Sequence, residues 1–431
     1  MDYAIPKGVF DVLPTDPDPE NSWRNSDRWQ HIEKIIRETC NIFGYKEIRT
    51  PIFERTELFV RGVGEGSDIV SKEMYTFMDK GERSMTLRPE GTASVMRAFV
   101  EKKLYNQSTL HKYFYIGPMF RYERPQAGRY RQHHQFGAEA LGTCSPEQDA
   151  ELIHLVCSLY SKLGLKNLKV LINNVGSKES RATFSAALKS FLGPHLENLS
   201  ADSKVRFSKN VLRILDSKDP NDQSILATAP SILDFVSAEE QNHFQSVCNY
   251  LDNLKISYEV SSKLVRGLDY YNKTVFEITT SDLGAQNSIG GGGRYDGLTE
   301  TLGGPHIPSV GFATGLERVL QTMDRQGVTF PESSHPQLFF IPMGDKARVF
   351  CFQLMCQMRD KGISCDIDIS GKKIQHGIQL AVNIRATYCM IVGDQELDTG
   401  LAKLKNLTTR ETTDIQLNQI IKNFTKSHLV N

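Results

Sequence analysis

Residues 120–139 read FRYERPQAGRYRQHHQFGAE, and the expected fold turns on how this stretch is laid out. Residues 125–128 carry turn-forming types, and the flanks alternate, so a hairpin is expected. Alternation puts Arg121 and Glu123 on one side of the outgoing strand. Arg129 and Arg131 would begin the return strand, and Gln135 and Glu139 continue it. Four arginines fall within residues 121–131. Arginine offers a rigid fork of N–H donors that grips phosphate oxygens in pairs. Convergent guanidiniums on a hairpin therefore suit a polyphosphate. An exposed hairpin laced with ion pairs reads the same residues equally well.

Working outward, residues 27–43 place Trp29, Ile32, Ile35, Ile36, Cys40 and Phe43 at helical spacing, with Gly44 as a stop. Residues 45–53 have strand composition, and Pro51 restricts them to an edge or an interface. Short segments at 74–78, 85–87 and 113–122 read as strands with turn residues between them, which implies an antiparallel sheet. Residues 147–163 are helical by period, with Leu152, Leu155, Val156 and Leu159 on one face. Residues 168–172 return to strand. Residues 177–253 are helical, polar and punctuated by Gly193-Pro194 and Asp219-Pro220, and read as an inserted helical subdomain. Strands and glycine-rich turns resume from 257 and end in a helix from about 315 to 326. Beyond a Pro/Ser/His stretch at 330–336, strands at 338–342, 364–369 and 388–392 alternate with helices at 348–361 and 374–386. That is the pattern of a small α/β layer domain. The expected division is 1–176, 177–256, 257–330 and 335–431.

Four further stretches carry residues with chemical potential. In TLRPEGT (86–92), Glu90 and Thr92 lie two apart, so on a strand they share a face and could hold an ammonium group. Taken alone, the same residues read more simply as surface groups after a proline turn. In LVRGLDYYNKTVFEI (264–278), Arg266, Asp269, Tyr270 and Tyr271 crowd around Gly267, and core tyrosines are the plainer alternative. SIGGGGRYDGL (288–298) lacks the spacing of a phosphate loop, so its glycines permit close backbone approach to a flat ligand, or a tight turn. VGFATGLERV (310–319) runs a strand into a helix with Glu317 and Arg318 in its first turns. An arginine there could meet a purine or a phosphate, or simply face solvent.

Composition excludes several classes. Lys+Arg and Asp+Glu both total 51, for a net charge of zero, so a nonspecific nucleic-acid coat is not expected. Local basic surplus exists: from residue 335 onward, 12 Lys and Arg stand against 9 Asp and Glu. The eight cysteines show no CxxC pair, which reads as reduced thiols and no metal centre. The N-terminus lacks a basic region followed by an apolar one, and no run approaches the ~20 apolar residues of a membrane helix. A cytoplasmic protein with no membrane partner is expected.

Together, and in this order, these stretches resemble the class II aminoacyl-tRNA synthetases, and among them the histidyl-tRNA synthetase family. The helix–strand unit ending at Pro51 resembles motif 1, the dimer-interface element. Residues 120–135 resemble motif 2, and 310–319 resemble motif 3. LVRGLDYYNKTVFEI and GGGGRYDGL resemble the two histidine-specific peptides, which are highly specific. The resemblance covers essentially the whole chain. It implies an α+β fold: a class II catalytic core with an antiparallel sheet, a helical insertion and a C-terminal α/β anticodon-binding domain. It implies ATP-dependent activation of L-histidine, with Mg2+, followed by transfer to the 3′ end of tRNA(His) by a homodimer.

Roles follow by resemblance, position by position. Glu90, Gly91, Thr92 and Gln135 match the residues around the histidine α-amino group. Glu139, Tyr270 and Tyr271 match the imidazole pocket. Arg121 and Arg266 match the catalytic arginines at the α-phosphate, and both border the amino acid. Glu123, Arg129 and Arg318 match the ATP site, with Arg318 against adenine. Gln126 matches the position that meets the tRNA acceptor end. One departure stands out: at His133 relatives commonly carry a phenylalanine that packs on adenine. Noncatalytic regulatory relatives usually lose the motif arginines and the anticodon domain, whereas this chain keeps Arg121, Arg266, Arg318 and an α/β tail.

Overall fold

The computed structural model describes residues 3–64, 67–124, 128–283 and 287–427. The chain divides into two compact units, residues 1–330 and 331–431.

The first unit contains strands β1 (Lys46–Glu47), β2 (Phe53–Arg55), β3 (Tyr75–Met78), β4 (Ser84–Leu87), β5 (His111–Phe120), β6 (Gln132–Leu141), β7 (Leu168–Asn174), β8 (Tyr258–Val260), β9 (Asn272–Thr280), β10 (Ser288–Arg294) and β11 (Ser309–Gly315). Eight of them form one sheet in the order β1-β5-β6-β11-β10-β9-β7-β8. Its central pairs are antiparallel. The two edge pairs, β1 with β5 and β7 with β8, are parallel. The segment expected as one strand at 45–53 is thus split. Pro51 offers no N–H to a ladder, and the chain passes from β1 to β2, which joins a separate antiparallel sheet in the order β2-β4-β3.

Register decides the two faces of the large sheet. Phe114 pairs with Ala138, and Ala138 with Phe312. These residues sit in the main core with Trp29, Ile32, Ile36 and Cys40 of helix Ser26–Ile42 and with Leu152, Leu155, Val156 and Leu159 of helix Pro146–Lys162. Both helices owe their seating to apolar residues recurring every three or four positions. Helix Pro146–Lys162 also opens on Pro146, with Glu147 and Asp149 in its first turn and Lys162 in its last. That order suits a missing N–H at the start and the helix dipole throughout.

The opposite face is floored by small residues. Gly117 pairs with Gln135, Gly137 with Tyr115 and Ala313, Gly311 with Glu139 and Gly293, and Gly291 with Ala313 and Glu277. Side chains alternate along each strand and directly paired residues share a face. Between the side chains of Gln135, Tyr115, Glu139 and Glu277, these positions of the face carry only glycines and Ala313, and a trough results.

Residues 178–253 form helices Lys178–Leu192, Ala201–Lys209, Pro220–Leu226 and Ala238–Asn253, with short 3-10 turns between them. Phe184, Leu188 and Leu192 of the first of these helices and Leu226 of the third join a second core with Met96, Phe99, Leu264, Tyr271 and Tyr295, whereas Phe244, Val247 and Leu251 of the last pack into the main core.

The second unit has strands β12 (Leu338–Pro342), β13 (Cys365–Ile367), β14 (Tyr388–Val392), β15 (Leu401–Asn406) and β16 (Thr412–Gln416) in the order β13-β12-β14-β15-β16. Leu338 and Phe340 pack with helix Asp345–Asp360, while Phe339 and Ile341 pack with helix Ile374–Asn383. Alternation along β12 therefore puts the two helices on opposite faces. Among the described residues, no helix is long and apolar enough to cross a membrane.

Candidate active site

The trough is walled by the loop after β4, the loop at 264–271 and the start of helix Leu316–Arg325. The ladder of β4 ends at Leu87, and the backbone N–H of Arg88 donates to Ile52 O at 2.9 Å. Pro89 follows and cannot continue a ladder. Glu90 and Thr92 are therefore not on a strand, contrary to the expectation from alternation. Gly91 is the N-cap of helix Thr92–Glu101. The Glu90 carboxylate accepts from the N–H groups of Thr92 (2.8 Å) and Ala93 (2.7 Å), satisfying two donors that a helix start leaves free. Burial pushes the Glu90 carboxyl above its ordinary value, and the two N–H bonds oppose that rise.

Thr92 Oγ1 donates to Glu139 Oε1 at 2.7 Å, and the Tyr295 hydroxyl donates to Glu139 Oε2. Glu139 is fully buried. Burial raises its pKa to about 8, against the O–H bonds from Tyr295 and Thr92. The absence of a side chain at Gly311 makes the room, since a Cβ there would lie 1.6 Å from Glu139 Oε2. Gly91 and Gly137 do the same for Tyr115, whose ring would lie 2.3 Å from a Cβ at either position. Tyr115, Tyr270 and Tyr295 have phenols held well above their ordinary pKa by burial, so all three keep their protons. Tyr270 packs against Tyr271 and Tyr295, with ring centroids 4.7 and 5.5 Å apart.

Tyr295 is positioned from below by Arg294, which is fully buried. Arg294 reaches Asp149 at 2.8 Å, Asp296 at 3.1 Å, and the carbonyls of Thr143 and Ser145 at 3.0 Å each. Sequence reasoning quoted Tyr295 but gave it no role, and it missed Tyr115 altogether. The run of glycines around Tyr295 was a signal that something large lies over the sheet. That something is Arg266. A Cβ at Gly291 would lie 2.7 Å from Arg266 Nη1, so the guanidinium rests directly on the strand. Arg266 faces Glu277 at 3.6 Å and stands over the Tyr271 ring at 5.9 Å. Its Nε is buried with no partner among the described residues.

The arginines of the hairpin are not on its strands. β5 ends at Phe120 and β6 begins at Gln132, so Arg121, Glu123, Arg129 and Arg131 all lie in the connection. Arg121 N nevertheless donates to Arg131 O at 2.9 Å, which closes the base of the loop. Arg121 Nε donates to Pro89 O at 2.8 Å, tying it beside Glu90. Glu123 lies 3.9 Å from Arg121 and 3.2 Å from Arg129. Arg318 reaches across to the carbonyls of Gly128 (3.0 Å) and Ser288 (2.5 Å). Gln126 lies outside the described residues.

On β6, His133, Gln135 and Glu139 share a face. Burial, and then the Arg121 guanidinium, push the His133 ring well below the ordinary imidazole value, so the ring is neutral. Gln135 Nε2 sits 3.4 Å from His133 Nε2, while Gln135 Oε1 is a buried acceptor with no partner among the described residues. Glu317 is structural: its carboxylate accepts from His134 N at 2.8 Å and fixes the start of helix Leu316–Arg325 against β6.

The result is a trough with a buried carboxylate at one end, a glycine floor, and Arg121, Arg266 and Arg318 along its length. Such a site can read a small ring, hold an ammonium group and neutralise phosphates. Residues 15–319 match the histidyl-tRNA synthetase family, and residues 337–427 match an anticodon binding domain. The chain is similar to the histidine–tRNA ligase of Protochlamydia amoebophila, with 56% identity over 420 residues covering 97% of this chain and 99% of that one. It is also similar to that of Halothermothrix orenii, with 48% identity over 426 residues covering 99% and 100%. Among solved structures it resembles apo S. aureus histidyl-tRNA synthetase, with a TM-score of 0.82 and 38% identity, covering 98% of this chain and all of that one. With matches that run through both compact units, the chain belongs to the histidyl-tRNA synthetase family.

Proposed function

We propose that this chain activates L-histidine with ATP and transfers it to the 3′ end of tRNA(His). The observation that carries the reading is the Glu139 site. A fully buried carboxylate already bonded by two hydroxyls is suited to reading an imidazole N–H. Tyr270 and Tyr271 enclose the ring. Glu90, Thr92 and Gln135 Oε1, which has no partner among the described residues, supply acceptors for the α-ammonium group, with Gly91 letting Tyr115 close beneath it.

The histidine carboxylate attacks the α-phosphorus of ATP in line, and pyrophosphate leaves. Charge gathers on the non-bridging oxygens, where the preorganised donors of Arg121 and Arg266 stabilise it better than water does. Removing one such donor costs on the order of 10²–10³ in rate. Arg129 and Arg318 neutralise the outgoing phosphates, with Glu123 setting the position of Arg129. The neutral His133 ring offers the adenine a flat, uncharged face. Mg2+ enters with the triphosphate as part of that substrate. The terminal ribose hydroxyl of the tRNA then attacks the adenylate carbonyl, AMP leaves, and Gln126 meets the acceptor end. A buried site that hydrogen-bonds a substrate group rejects analogues lacking it by roughly 10⁴–10⁵, so no editing step is needed.

The proposed division of labour gives 1–176 and 257–330 the chemistry, 177–256 the acceptor arm and 335–431 the anticodon. A homodimer is proposed through the β2-β4-β3 sheet, where Ile52, Phe53, Phe77 and Met78 are exposed. The proposed compartment is the cytosol, where tRNA and ATP are at hand. The test is ATP–pyrophosphate exchange run separately with each of the twenty amino acids. Exchange with histidine alone is expected. Folded protein that exchanges with none would instead be a noncatalytic regulatory relative.

A further inference from the structure

The residues that would read histidine and grip the α-phosphate sit on a segment with almost no structure of its own. Residues 264–271 form no helix or strand. Arg266, Tyr270 and Tyr271 therefore depend on whatever holds that segment from outside. Two arginines of the helical region do so. Arg181, on helix Lys178–Leu192, donates from Nη1 to Tyr271 O at 2.7 Å and to Asp269 O at 3.4 Å, the carbonyls on either side of Tyr270. Arg213, in the 3-10 turn Val211–Asp216, donates from Nη2 to Gly267 O at 2.7 Å and faces Asp269 Oδ1 at 3.5 Å. Arg213 Nη1 also meets Asp68 at 3.2 Å. Both arginines use several donors at fixed angles, which a lysine cannot reproduce. Asp269 is gripped from a third side: its N–H donates to Val63 O, and it packs over Gly64, where a Cβ would lie 2.7 Å from Asp269 Oδ2.

We propose that Arg181 and Arg213 are positioning residues for amino-acid activation: by fixing the carbonyls of Gly267, Asp269 and Tyr271 they set Arg266, Tyr270 and Tyr271 in the site, so the helical region takes part in the first half-reaction even without tRNA. The second core supports this coupling, since Phe184, Leu188, Ile214 and Leu215 of the helical region pack in one cluster with Leu264 and Tyr271. A region that served the tRNA alone would have no such stake in the histidine loop.

The inference rests on the proposed adenylation activity. Its test is histidine-dependent ATP–pyrophosphate exchange, without tRNA, by the full-length wild type and by Arg181→Gln and Arg213→Gln. We expect KM for histidine to rise about tenfold or more and kcat to fall, with KM for ATP within twofold, because the β- and γ-phosphate grips lie elsewhere. Arg213→Lys, which keeps the charge but not the fork, should recover part of the loss. Unchanged exchange kinetics in both variants, with only charging of tRNA impaired, would overturn the proposal. So would a uniform loss of active enzyme with both KM values intact, which marks a merely structural role. If Arg213→Gln does not fold, Arg181→Lys and Arg213→Lys face the same two outcomes. A wild type without histidine-dependent exchange would instead count against the functional reading itself.

Discussion

At the scale of single residues, Glu139 combines two demands that oppose each other. In the proposed role its carboxylate must be buried to read a ring without competition from water, yet burial disfavours the charge and raises its pKa to about 8. A carboxyl raised in the folded state binds its proton more tightly there than in the unfolded chain. Its contribution to stability is therefore fully present below the ordinary carboxyl range and is lost as pH rises toward 8. Glu139→Gln should flatten that dependence between about pH 5 and 8, by up to about 1.4 kcal/mol per pH unit. The same variant should lower histidine-dependent exchange on the order of 10²-fold or more. Urea unfolding of both proteins across this pH range checks the first effect, and parallel curves would contradict it. Glu90 shows what the sequence withheld at this scale. Its role as a helix cap depends on Pro89 ending a ladder that alternation alone would have continued through Thr92.

At the scale of elements, β10 is the most constrained strand. Its glycines lie between β9 and β11 with no room above or below. A Cβ at Gly292 would meet Gly311 O at 2.0 Å, and the atom in the way is backbone. Gly292→Ala should therefore destabilise the protein by about 1–3 kcal/mol or more, read as a lower midpoint in urea. An unchanged midpoint would mean that β10 and β11 can part without cost. Much of this architecture was legible in advance. Helices Ser26–Ile42 and Pro146–Lys162 announced themselves by apolar period, and β12 and β14 fell where β-rich runs stood between turn signals. What local sequence could not supply was partnership. Nothing in Lys46 and Glu47 says that β1 runs parallel to β5, and nothing in Arg129 or Arg131 says that the return strand waits until Gln132. The hairpin β15–β16 went unread because it commits few side chains to the core, with Ala402 and Ile415 buried among mostly exposed neighbours, so the apolar signal of each strand is short.

At the scale of the whole molecule, the exposed apolar side chains on β2 and β3 are the feature a monomer would least tolerate. Phe53 and Phe77 stand with ring centroids 6.3 Å apart, 52% and 43% exposed. Apolar side chains gathered on one exposed face mark an association surface. Replacing both with glutamate should convert the proposed dimer to a monomer in light scattering, with a folded core by circular dichroism. A wild type that is already monomeric at working concentration would remove the dimer from the account. The resemblance to motif 1 put this expectation on the helix–strand unit ending at Pro51, and the β2-β4-β3 face that follows it in the chain is the surface proposed for it.

Tyr115 between Gly91 and Gly137 has a consequence for how such a pocket can change over generations. A methyl group at either glycine would overlap the ring, and a smaller residue in place of the ring would leave a hole beneath the proposed amino-acid site. Each single step away from the present trio is thus worse than where it started, and the repairing steps lie on two other strands or loops. A lineage drifting toward a different amino acid would have to cross that valley with several coordinated substitutions. The pocket's chemistry is in this sense locked by geometry as well as by selection on its product.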